Sequence, residues 1–127
     1  MADVNRGNRP LSPHLSVYRM KATMLSSITH RITGSALMLG AVLVVWWFLA
    51  AATGPEYFAT ADAVLNSWIG GLILIGSLWA LMYHLVNGIR HLIWDMALGL
   101  DKDVATRSSY YVWGGSVVLT VLVLLVM

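Results

Sequence analysis

Residues 32–53 read ITGSALMLGAVLVVWWFLAAAT, twenty-two in succession without an acid or a base. A hydrocarbon core of about 30 Å needs about 20 helical residues, so this run is long enough to cross a bilayer as one helix. Working outward, charge is absent again over residues 63–89 and 108–127, runs of 27 and 20 residues. None of the three alternates polar with apolar as a barrel strand does, and a backbone in lipid must satisfy its polar groups within a helix or a closed barrel. The fold class expected is an all-α membrane protein with three transmembrane helices, spans about 32–53, 63–89 and 108–127. They form one domain over residues 28–127, preceded by a segment over 1–27 on the cytoplasmic side.

Composition agrees with that reading. The 127 residues are 58% hydrophobic and only 11% charged, against about 25% charged in an ordinary soluble domain. Eight basic and six acidic side chains leave a formal charge of +2, too little for a nucleic-acid-binding face. The absence of cysteine removes disulfides, iron–sulfur ligation, a thiol nucleophile and the C-x-x-C-H attachment of a c-type haem. A single small, apolar domain has no room for a flavin- or nucleotide-binding fold, so any redox chemistry must be shared with other chains.

The bases set the expected orientation. Arg6, Arg9, Arg19, Lys21 and Arg31 precede the first run, and Arg90, Lys102 and Arg107 follow the second, while the 54–62 connection carries only Glu56 and Asp62. The positive-inside rule places the N-terminus and the 90–107 loop in the cytoplasm, or the mitochondrial matrix, and the C-terminus on the opposite side. Before the first run, Arg9-Pro10-Leu11-Ser12-Pro13 favours an extended path, since each proline fixes its own φ and biases its predecessor away from helix. Leu15, Tyr18, Ala22 and Leu25 then recur at near-helical spacing. This stretch is either a solvated tail with an interfacial turn or a docking surface for a cytoplasmic partner.

The second run ends in Tyr83-His84-Leu85-Val86-Asn87-Gly88-Ile89-Arg90-His91-Leu92-Ile93-Trp94-Asp95. At 100° per residue His84, Gly88, His91 and Asp95 fall within about 60° of one another, forming one polar stripe. An imidazole in hydrocarbon needs a partner, and ionisable groups within spans face a bundle interior, a cavity or a cofactor. His84 is therefore either a hydrogen-bonded packing residue or a metal or haem ligand. Gly88, one turn on, clears space where the edge of a flat macrocycle would pass. His91 lies about 10 Å further along the axis and is too far away to ligate the same iron. With no other histidine inside a span, a bis-histidine haem would need its second ligand from another subunit.

At the mouth of the first run Ser27, Arg31 and Gly34 share a helical face, with His30 to one side. An arginine at a span end either snorkels to lipid phosphate or holds an anionic or carbonyl ligand. Its permanent charge and fork of donors, with a serine hydroxyl one turn away, suit a quinone carbonyl or a haem propionate. Small-xxx-small spacings at Ala36/Gly40, Ser67/Gly71 and Gly76/Ala80 suit close helix packing in lipid. The tryptophans and methionines are read as packing and interfacial anchors.

Arg9-Pro10-Leu11-Ser12-Pro13-His14-Leu15, Ser27-Ile28-Thr29-His30-Arg31-Ile32-Thr33-Gly34 and His84-x3-Gly88-Ile89-Arg90-His91-x2-Trp94-Asp95 occur in order across the chain. Together they resemble the succinate dehydrogenase cytochrome b556 subunit family, in its alphaproteobacterial and mitochondrial form. The resemblance implies a membrane anchor of complex II in a heteromeric helical bundle, lodged in a bacterial inner membrane or, in a eukaryote, the mitochondrial inner membrane. It implies five partners: a second small anchor subunit, an iron–sulfur subunit, a flavoprotein subunit, ubiquinone and membrane lipid. Electrons from succinate would reduce ubiquinone, with no catalysis by the isolated chain. Carried over residue by residue, His84 is the axial ligand of a haem b whose other ligand comes from the second anchor. Ser27 and Arg31 are quinone-site residues, and His30, Arg31 and His91 lie near the haem propionates. The stretch Arg19-Met20-Lys21-Ala22 departs from many relatives in lacking aromatic and proline residues. The alternatives are a fumarate reductase-type anchor, a haem-free structural anchor and a small transporter with His84 as relay. The transporter is the poorest fit, because the chain has no repeated half.

Overall fold

The computed structural model describes residues 19–127, and the extended path expected over 9–13 and the positions of Leu15 and Tyr18 lie outside them. Four helices follow in chain order: α1 (Ala22–Thr53), α2 (Pro55–Leu65), α3 (Trp68–Asp95) and α4 (Lys102–Val126). Among the described residues α1, α3 and α4 are the helices long and apolar enough to span a membrane. They pack pairwise against one another, and α2 turns back on the end of α1.

The helices outrun the uncharged stretches. Helix α1 begins ten residues before Ile32, so it carries Ser27, His30 and Arg31 on regular helix rather than on an entry loop. The expected second span divides, because residues 63–65 finish α2 and α3 starts only at Trp68. Local chemistry explains both breaks. Gly54, at φ 152°, ends α1 in a conformation open to glycine, and Pro55 occupies the first turn of α2, where its missing N–H costs nothing. Ser67 then caps α3, its Oγ accepting from the Gly70 amide at 3.2 Å.

At the other end, α3 closes with paired bonds from the Ala97 amide to the Trp94 carbonyl and from the Leu98 amide to the Ile93 carbonyl. This is a Schellman arrangement with alanine, at φ 58°, in the position glycine usually fills.

The interior is more polar than the surface. Ser26, Thr33, Asn87, Arg90, Ser109, Ser116 and Thr120 are buried, whereas Met38, Leu39 and Leu125 are more than 70% exposed. In water that distribution would be unstable. In lipid, outward apolar side chains lose nothing, and small hydroxyl residues in the seams let the backbones approach. The hydroxyls satisfy themselves on the preceding turn: Thr33 Oγ1 donates to the Thr29 carbonyl at 2.8 Å and Thr120 Oγ1 to the Ser116 carbonyl at 2.7 Å. Of the glycines at the small-xxx-small positions, Gly40 is the one pressed on another helix, its absent Cβ lying 3.2 Å from Ser77 Oγ, while Gly71 and Gly76 face open space.

Candidate functional site

His84 projects from α3 against α1. Helix α1 accommodates the imidazole because residue 34 is glycine: a Cβ there would stand 3.0 Å from His84 Cε1. The Nδ1 atom of His84 lies 3.1 Å from the His30 carbonyl oxygen and 3.4 Å from Thr33 Oγ1. Thr33 Oγ1 is within reach of the Thr29 and His30 carbonyls, so its proton has acceptors on its own helix. The carbonyl of His30 is only an acceptor, so Nδ1 is the donor of this contact, and in the neutral imidazole the lone pair is then on Nε2. Among the described residues nothing hydrogen-bonds that Nε2.

The ring of His30 lies flat on that of His84, centroids 3.8 Å apart and planes 9° from parallel. His91 stands 6.2 Å from His30 and meets Trp94 edge-on. The three imidazoles thus form one cluster, with Nδ1 of His30 buried and without a partner among the described residues. Two axial ligands direct nitrogens at one iron from opposite sides, so the face-to-face pair His30–His84 is not an axial pair. Among the described residues no three His, Cys, Asp or Glu side chains converge as metal ligands. His84 is thus oriented by one backbone acceptor, with Nδ1 directed at the His30 carbonyl.

The stripe expected on α3 runs along the edge of the bundle. The face of α3 turned inward holds Ala80, Tyr83, Asn87 and Arg90. His84 and Gly88 are half-buried, His91 and Asp95 are exposed, and a Cβ at Gly88 would meet open space. Ser27 and Arg31 are also exposed, one turn apart on the α1 face that adjoins Gly34 and His30. Among the described residues neither side chain has a hydrogen-bond partner. The structure thus brings His30, His84 and His91 together and leaves Ser27 and Arg31 on the neighbouring open flank.

Arg90 is a correction to the sequence reading, which counted it among the loop bases. It is 6% exposed. One terminal nitrogen donates to Ser26 Oγ at 2.9 Å and Asn87 Oδ1 at 3.1 Å, the other to the Ala105 carbonyl and Ser109 Oγ, both at 2.9 Å. Its guanidinium carbon sits 4.1 Å from the centroid of the Trp94 ring, a cation–π distance. Beside it the Tyr83 hydroxyl, fully buried, donates to the Ser26 carbonyl at 3.0 Å. Sequence reasoning missed this group because a base at the end of a span looks the same whether it points inward or out. The signal available was Asn87 three residues before it, on the same helical face.

Comparison with known proteins is consistent across the chain. Residues 5–124 match the model of the succinate dehydrogenase/fumarate reductase transmembrane subunit family. The chain is 57% identical over 126 residues to the succinate dehydrogenase cytochrome b556 subunit of Paracoccus denitrificans, covering 99% of this chain and 97% of that relative. It is 37% identical over 114 residues to the cytochrome b556 subunit of Rickettsia bellii, covering 90% and 89%. To the mitochondrial cytochrome b560 subunit of Sus scrofa it is 42% identical over 120 residues, covering 91% of this chain and 67% of the relative.

Proposed function

The chain belongs to the succinate dehydrogenase/fumarate reductase transmembrane subunit family, and from that premise we propose that it is the cytochrome b anchor subunit of a succinate:ubiquinone oxidoreductase. The observation that carries this reading is the 3.1 Å contact of His84 Nδ1 with the His30 carbonyl, which in the neutral imidazole leaves Nε2 as the free ligand nitrogen. His84 would hold a haem b, and a partner anchor subunit would supply its second ligand. Gly88 adds no side chain on the same helix face, so it would leave room for a flat group, and His30, Arg31 and His91 would meet its propionates. When bound, the haem supplies one-electron storage beside the quinone site.

Ser27 and Arg31 bind ubiquinone by donating to its carbonyl oxygens. Reduction of the quinone takes two electrons and two protons. Donors on an exposed flank near the start of α1 let protons enter from the aqueous side on which that helix begins. With Lys21 before α1 and Lys102 and Arg107 opening α4, and no base over 54–62, that side is the cytoplasm or matrix. The iron–sulfur and flavoprotein subunits dock there, so electrons and protons reach the quinone from the same side.

The test is a reduced-minus-oxidised optical spectrum of the intact complex, wild type and His84→Leu, with subunit content measured on the same samples. A b-type band lost in the variant is expected; a band that survives removes His84 as ligand, and its absence from wild type makes the chain a haem-free anchor. In parallel, Ser27→Ala, which loses a neutral hydrogen bond, and Arg31→Leu, which loses charge-assisted ones, are expected to lower quinone reduction about 10- and 100-fold respectively, with succinate-driven dye reduction retained. Equal loss of both activities would overturn the quinone-site assignment.

A further inference from the structure

Arg90 is a buried cation whose described partners are all neutral. Such a group is costly to hold in a bundle, and an apolar residue of similar volume packs there more cheaply. What arginine offers in return is a rigid fork of donors that reaches two helices at once, which lysine lacks. Here one arm of the fork reaches Ser26 on α1 and the other reaches the Ala105 carbonyl and Ser109 on α4. The Tyr83 hydroxyl grips the same residue of α1 by its carbonyl. Ser26 immediately precedes Ser27. Two turns further along the seam, His84 meets α1 at His30, Thr33 and Gly34. Helix α1 is thus pinned to α3 at two heights, which fixes both its rotation and its axial position.

We infer that Arg90 is a positioning residue for the quinone site: through Ser26 it sets the rotation of α1 that aims Ser27 and Arg31. The inference rests on the assignment of Ser27 and Arg31 as quinone donors. A polar atom about 5–6 Å from the axis of α1 moves about 1 Å for each 10° of rotation. A misplacement of about 1 Å is enough to cost up to a hundredfold in a positioned reaction. Arg90 has no need to touch the quinone to control its binding.

The experiment measures KM and kcat for a short-tailed ubiquinone in the intact membrane complex, normalised to succinate-driven dye reduction and to subunit content. Arg90→Gln is expected to raise the quinone KM about tenfold, and Arg90→Lys, which keeps the charge but reaches one helix, to recover only part of it. Ser26→Ala cuts the tie to α1 alone, leaves the bonds to Asn87, Ala105 and Ser109, and is expected to raise KM severalfold. It decides the matter if Arg90→Gln fails to assemble. A purely structural role predicts less assembled complex with an unchanged KM per complex, and that result overturns the inference. Ser27→Ala and Arg31→Leu in the same assay separate the two claims. If they raise KM and the assembled Arg90 or Ser26 variants do not, Arg90 has no positioning role. If they too leave KM unchanged, the quinone-site reading itself fails.

Discussion

Where α1 begins and α3 finishes, one guanidinium ties three helices through four hydrogen bonds. Where α1 finishes and α3 begins, indoles do the holding: Trp47 donates to Asp62 Oδ1 at 3.3 Å and meets Phe58 edge-on, and Trp46 donates to the Tyr57 hydroxyl at 2.9 Å. The first set of contacts is directional and long-range in sequence, so it defines where each helix stands. The second set is local and mostly aromatic, so it closes a helical hairpin without specifying angles closely. Candidate chemistry lies at the first end, where position matters.

Substitutions at each end test whether that division is real. Gly34→Leu is expected to have the largest effect. A Cβ alone would press on His84 Cε1, and the full side chain forces the α1–α3 seam apart, costing about 1–3 kcal/mol and displacing His84 from the His30 carbonyl. Thermal denaturation of the purified complex and its b-type absorbance read the two effects; retention of both would show that the tight fit is dispensable. Trp47→Phe removes one hydrogen bond at the opposite end and is expected to cost about 1 kcal/mol, with absorbance and quinone KM unchanged. A fall in quinone turnover there would mean that the two ends do not act separately. The smallest effect is expected from Ala97→Gly, which relieves a left-handed alanine in the turn leaving α3 and raises stability by about 0.5–1 kcal/mol, visible as a small rise in melting temperature.

The three spans were legible because charge is so costly in hydrocarbon that its absence marks them. Helix α2 was not legible. Its 11 residues include Glu56 and Asp62, and its last residues merge into the uncharged run that leads to α3. The stripe of His84, Gly88, His91 and Asp95 followed from helical spacing, since residues on one helix keep their angular relation whatever surrounds them. The stacking of His30 on His84 joins positions 54 apart in the chain, and no periodicity within one helix reports it. Arg90 shows the same limit: its position was plain, but its direction depended on Ser26 and Ser109, on two other helices.

The bonds of Arg90 also have an order in time. Its partner Asn87 is made before it and Ser26 well before, but Ser109 follows it by 19 residues. At about 5–20 residues per second, that acceptor leaves the ribosome about 1–4 s later. Until α4 is inserted, α3 carries a half-satisfied cation near its end, and an arginine is held more cheaply at the membrane interface than in the hydrocarbon. Helix α4 is thus the one that lets the guanidinium settle, and the seam around Arg90 reaches its final packing only once α4 has followed α3 into the membrane.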